Sequence, residues 1–276
     1  LFEYRARSVI PVALAAVVAT AMRMAFVGME PAFPMPTVAP ASAEALAAYL
    51  GVGVLVGLVS VWVTRIVYAI EDAFEHLPVH WMWRPAIGAV AVGVVGVIAP
   101  RTMGVGYSNI DDLLSGHIAG TALLWLVVMK FVSWSISLGS GTSGGTLAPL
   151  FTIGGGLGAV LGGLIAAIAP SLGVDPRVAG LVGMASMFAG ASHATLASVV
   201  FAFETTRQPM GLLPLLGGAT AAYLASSLMM RTSIMTEKIA RKRPEEALGG
   251  QANVSRQKSV TTEQVPPSSE ARAAEP

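Results

Sequence analysis

Residues 139–149 read Gly-Ser-Gly-Thr-Ser-Gly-Gly-Thr-Leu-Ala-Pro, with Gly139, Gly141, Gly144 and Gly145 crowded ahead of Pro149. They sit at the start of a long apolar region. From Phe131 to Thr206 the formal charges are only Asp175, Arg177 and Glu204. Non-helical backbone in such a setting survives in buried protein or along a watery cavity. Pro149 suits the first turn of a helix, where its missing N–H is not needed. The spacing therefore predicts a helix starting near Thr146, with free N–H groups aimed inward. Such an end carries a partial positive charge and attracts anions. No Lys or Arg is near it in the sequence, so the grip is weak, as conduction requires. A second reading of the pattern stands beside this one: a turn whose glycines only let neighbouring helices approach closely.

The elements that must hold this stretch are membrane helices. Of the 276 residues, 54% are hydrophobic and 12% are charged, about half the charge of an ordinary soluble domain. The mean hydropathy is +0.67. The net charge of +1 gives no footprint for nucleic acid, and cysteine is absent, which excludes disulfides and thiolate metal sites. An integral, all-α polytopic protein follows. Apolar runs cover Val9 to Val27, Leu46 to Ile70, Ile118 to Leu138, a run to Ile168, and Leu212 to Met230. Pro85 to Ala99 is too short to cross a bilayer untilted. Val178 to Phe203 is expected to divide into two short helices at Gly190-Ala-Ser-His193. Met29 to Pro40 reads as an extended surface loop, and Gly104 to Asn109 as a glycine-rich loop. No short tandem repeat is present.

The stretch from Ser137 to Pro149 resembles the signature before the anion-binding helix of the CLC chloride channels and transporters, which reads Gly-x-Phe-x-Pro where Gly145-Thr-Leu-Ala-Pro149 stands here. Gly183 to Thr205 is a second similarity at the right distance, and Gly104-Val-Gly-Tyr107 a weaker third. The resemblance runs from about Leu1 to Arg243. It implies the C-terminal half of a two-fold inverted-repeat, dimeric anion pathway. It further implies that the backbone amides of Thr146 and Leu147, after Gly145, meet chloride or a related anion, with Gly141, Ser143, Gly144 and Pro149 shaping the helix start. Leu147 replaces the family's Phe. Met235, in Ser233-Ile-Met-Thr-Glu, replaces a Tyr whose hydroxyl reaches the central anion, and a thioether donates no hydrogen bond. The family's gating glutamate belongs to the other half, so proton coupling stays open. No catalytic residue, metal or cofactor is implied.

Glu204 is a structural or functional acid at a helix end. His193 reads as a packed, hydrogen-bonded histidine opening a short helix. Lys130 and Arg23 are expected to snorkel or pair. Gly141-Thr-Ser-Gly144 also fits the Gly-x-Ser-Gly of rhomboid-like intramembrane serine proteases, with Ser143 as nucleophile and His193 as base. A non-transporting structural membrane subunit is a third reading. Arg231, Lys238, Arg241, Lys242 and Arg243 follow the last span, whereas no Lys or Arg lies between Met24 and Thr64. That bias predicts a cell-membrane protein with a cytoplasmic C-terminus. Residues 1–243 form the transmembrane region, and 244–276 are expected to be a disordered tail. The chain begins at Leu1 without an initiator Met, and a piece of a longer protein is expected.

Overall fold

In the computed structural model, residues 6–230 and 232–236 are described. Nine α-helices follow in chain order: α1 (Ala6–Phe26), α2 (Ala43–Glu75), α3 (Arg84–Ile98), α4 (Tyr107–Leu114), α5 (Gly120–Gly139), α6 (Leu147–Ile168), α7 (Pro176–Ser192), α8 (Thr195–Thr206) and α9 (Leu212–Met229). No strand occurs among the described residues. Six helical segments there are long and apolar enough to cross a membrane: Val9–Phe26, Ala43–Glu75, Trp81–Ile98, Gly120–Gly139, Leu147–Ile168 and Pro209–Met229. The helical unit ends at Ser233, and a separate C-terminal segment begins at Ile234. The basic cluster and the expected disordered tail lie outside the described residues.

Local chemistry starts and stops these helices. Ser42 Oγ accepts the Ala45 N–H at the head of α2, with Glu44 in its first turn. Asp175 caps α7 ahead of Pro176 by accepting the Arg177 N–H. The chain breaks after Ser192, where the Ser192 hydroxyl donates to Phe188 O and accepts from Ala194 N–H. The division expected at Gly190–His193 is therefore present. His193, however, closes α7 in the left-handed region, at φ 60°; it does not open α8.

The core sits on α7, which is buried on nearly every side. Glycine brings α6 against it: a Cβ at Gly158 would come within 2.3 Å of Ala179 O, and one at Gly183 within 2.3 Å of Gly154 O. The other side of α7 meets α2 and α9, which touch at Gly53–Gly218 and Gly57–Ala222. Helix α5 covers α6 through Val127 over Gly156, and α4 does so through Leu113 over Gly155. The membrane-length part of α1 buries nothing against the rest of the unit.

Two loop expectations need correction. The Pro-rich stretch is extended but not simply superficial. Phe33 and Met35 are buried in the main core, the Phe33 N–H donates to Thr205 O, and Gln208 Nε2 donates to Met35 O. The loop expected over Gly104 to Asn109 ends at Gly106, whose φ of +93° starts α4 at Tyr107. The side chains of Ile110, Leu113 and Leu114 draw that short helix into the core, a tertiary pull the glycines conceal.

Candidate functional site

Helix α5 ends at Gly139, whose missing side chain admits Ile70 of α2. The Ser140 and Gly141 N–H groups close the turn on Ile136 O and Leu138 O. Gly141 stands at φ +89°, a conformation other residues rarely adopt. Ser140 is buried, its hydroxyl bonded to Ser137 O and Thr142 Oγ1. From Thr142 to Gly145 the backbone is irregular, and Ser143, Gly144 and Gly145 are exposed. A Cβ at Gly144 or Gly145 would meet nothing within 4 Å. Within this unit, close packing is therefore not what demands these two glycines.

Helix α6 starts at Leu147 with Thr146 as its cap position, one residue from the expected start. No side chain caps it. Its first backbone bond is Leu150 N–H to Thr146 O, at 3.1 Å. Pro149 has no N–H, so the amides of Leu147 and Ala148 precede any intrahelical acceptor. Thr146 and Leu147 are half-buried, and Ala148 is buried. Behind them Phe151 packs against Phe188 and Phe201, with ring centroids 5.5 and 5.0 Å away. These aromatic rings went unread in the sequence. Their signal was an aromatic residue one helical turn beyond Leu147. The arrangement offers backbone donors and a helix dipole from an apolar base.

The other sequence candidates scatter. Met235 falls in the segment that begins at Ile234 and is exposed. Glu204 is exposed near the end of α8 and makes no cap or ion pair among the described residues. His193 is packed edge-on to Tyr223 at 5.5 Å, but its Nε2 is buried without a hydrogen-bond partner. Ser143 sits on the exposed loop, and no bond joins it to His193 among the described residues. The protease pair is thus not assembled. Lys130 does not snorkel, and among the described residues it pairs with no acid; it is buried and donates to the carbonyls of Thr102 and Gly104. Arg23 donates to Glu30 O. Among the described residues no cluster of His, Asp or Glu is fit to hold a metal ion.

Apolar helices of membrane-spanning length, packed around a helix that begins from an irregular, glycine-rich loop, define a polytopic membrane protein. The family model for voltage gated chloride channels matches residues 1–227, and the chain belongs to that family. It is 32% identical over 230 residues to the "Chloride channel protein CLC-f" of Arabidopsis thaliana, covering 78% of this chain and 29% of that protein. It is 27% identical over 232 residues to the "H(+)/Cl(-) exchange transporter ClcA" of Vibrio campbellii, covering 83% and 50%. The structure of a slow cyanobacterial Cl-/H+ antiporter matches the fold with a TM-score of 0.75 at 20% identity, over 82% of this chain and 53% of that one. The chain thus spans half or less of the length of these two relatives. The protease alternative finds no support in them.

Proposed function

We propose that this chain forms one half of a pathway for chloride or a similar anion, passive or proton-coupled, with the anion held by the Thr146 and Leu147 amides. The observation that carries this is the uncapped start of α6 beneath a loop whose glycines face open space. Backbone N–H groups at such an end suit a small anion without a fixed counter-charge. Family membership and the relatives' names favour chloride, with exchange for protons as one mode. The opposing helix ends come, in this reading, from the part of the relatives' length outside the match. The protein is a homodimer whose contacts use α1, α8 and α9, where apolar side chains such as Val12, Leu196, Val200 and Leu228 are exposed. It resides in the cell membrane with its C-terminus in the cytoplasm.

The chain alone in liposomes should carry no chloride flux, and the chain joined to the opposing half should carry it. Equal flux from both overturns the two-half reading. In the joined protein, Thr146→Pro removes one charge-facing amide and should weaken chloride and bromide binding roughly ten-fold or more by isothermal titration. A folded Thr146→Pro that binds as tightly as the parent places the anion elsewhere.

A further inference from the structure

Lys130 lies in the middle of α5, an apolar span, yet is only 4% exposed. Its ammonium donates to Thr102 O and to Gly104 O, both at 2.9 Å, and no carboxylate pairs with it among the described residues. A buried charge without a counter-ion is costly in a low-dielectric setting. An apolar side chain would fill α5 more cheaply, so the cation must do something that packing does not.

Its surroundings indicate what. The two carbonyls belong to the loop that leads into α4. That loop is stitched further by Thr102 Oγ1 to Ala99 O and by Asn109 Nδ2 to Arg101 O. A Cβ at Gly106, the left-handed residue before α4, would lie 3.3 Å from Lys130 Nζ. The ammonium therefore grips converging main-chain carbonyls as a bound metal ion would, and fixes where α4 begins. Helix α4 in turn bears on α6: Leu113 Cδ2 lies 2.7 Å from where a Cβ of Gly155 would stand. Ile110, Leu113 and Leu114 share one core with Phe151, one turn into α6.

We infer that Lys130 is a positioning residue: an internal cation that clamps the 102–106 loop and thereby seats α4 behind the helix that starts at Leu147. The clamp stands on its own bonds; its consequence for transport rests on the anion-site reading above. Three variants separate the grip from the charge. Lys130→Met keeps bulk and loses both, Lys130→Gln keeps donors without charge, and Lys130→Arg keeps both.

Hydrogen exchange of this chain in detergent micelles, followed by mass spectrometry, reads the clamp without any flux. Amides of residues 99–110 should exchange about ten-fold faster in Lys130→Met, with α9 unchanged, and near the parental rate in Lys130→Gln and Lys130→Arg. Unchanged exchange in a folded Lys130→Met overturns the clamp. If Lys130→Met does not fold, Lys130→Gln decides: parental exchange supports the grip, and fast exchange beside a normal Lys130→Arg overturns it in favour of charge alone. In the transporting protein, Lys130→Met should lower chloride flux about ten-fold while Lys130→Gln retains it. Loosened exchange with unaltered flux overturns the positioning role. A parent without flux would sink the transport reading and leave the exchange result to judge the clamp.

Discussion

Two glycine-rich regions lie a few residues apart in this chain and use glycine for opposite reasons. In α6, Gly154, Gly155, Gly156, Gly158 and Gly162 are places where a Cβ would strike α4, α5 or α7 at 2.2–2.7 Å. In the preceding loop, a Cβ at Gly144 or Gly145 would meet nothing within 4 Å. The first set shortens the distance between helices, in the manner of small-residue interfaces in membranes. The second leaves backbone uncovered. Composition alone does not distinguish them, and the helix that links them begins at the one place where its amides are unspent.

The comparison is broken most severely by filling both regions. Gly158→Leu would drive a side chain into Ala179 O and the Gly183 backbone, neither of which can swing aside, and should cost about 3 kcal/mol or more. Gly145→Leu should stay within about 0.5 kcal/mol of the parent. Thermal unfolding in detergent checks the pair, and equal losses would mean that the loop is packed after all.

A milder version uses single methyl groups. Gly154→Ala meets Met187 Cβ at 2.3 Å and Gly183 O at 2.5 Å; it should cost about 2 kcal/mol even after the helix-propensity gain. Gly144→Ala should be close to neutral by the same unfolding measurement.

Gly141 sharpens the contrast, because there the demand is conformational. Nothing crowds it, but its φ of +89° strains any side chain. Gly141→Ala should cost roughly 1 kcal/mol, less than the packed glycines and more than Gly144.

The smallest effect concerns the edge of the packed region. Burial pushes the Asp175 carboxyl up, but the Arg177 guanidinium and backbone N–H bonds outweigh it and hold the group below the usual carboxylate range. A depressed carboxyl contributes stability that is fully present above the unfolded value near pH 4 and lost as pH falls through the lower folded value. Both side chains are partly solvated, so the ion pair adds only about 0.5 kcal/mol. Asp175→Asn keeps the cap acceptor and removes the charge. It should be slightly less stable than the parent at pH 6 and match it at pH 2 in acid-unfolding curves. A constant gap at both pH values would show that the ion pair adds nothing.

Much of the framework was legible because it is written locally. Long apolar runs set the spans, Pro149 marked the start of α6 to within a residue, and Gly190-Ala-Ser-His193 marked the break between α7 and α8. The glycine-rich loop was legible as irregular backbone, because four glycines ahead of Pro149 do not continue a helix. The roles of single residues were less legible. His193 was assigned to the wrong side of its break, since only its left-handed backbone makes it an ending.

By itself, then, the sequence determined an all-helical membrane protein and the place where one helix begins with free amides, because hydropathy runs and proline stereochemistry act over a few neighbouring residues. The tertiary structure alone decided which glycines are crowded and which are open, that Phe33 and Met35 turn inward, and that Lys130 holds two carbonyls of a loop 26 and 28 residues away. Those outcomes depend on which helix faces which. That is a balance of contacts between segments distant in the chain, and local pattern carries no record of it.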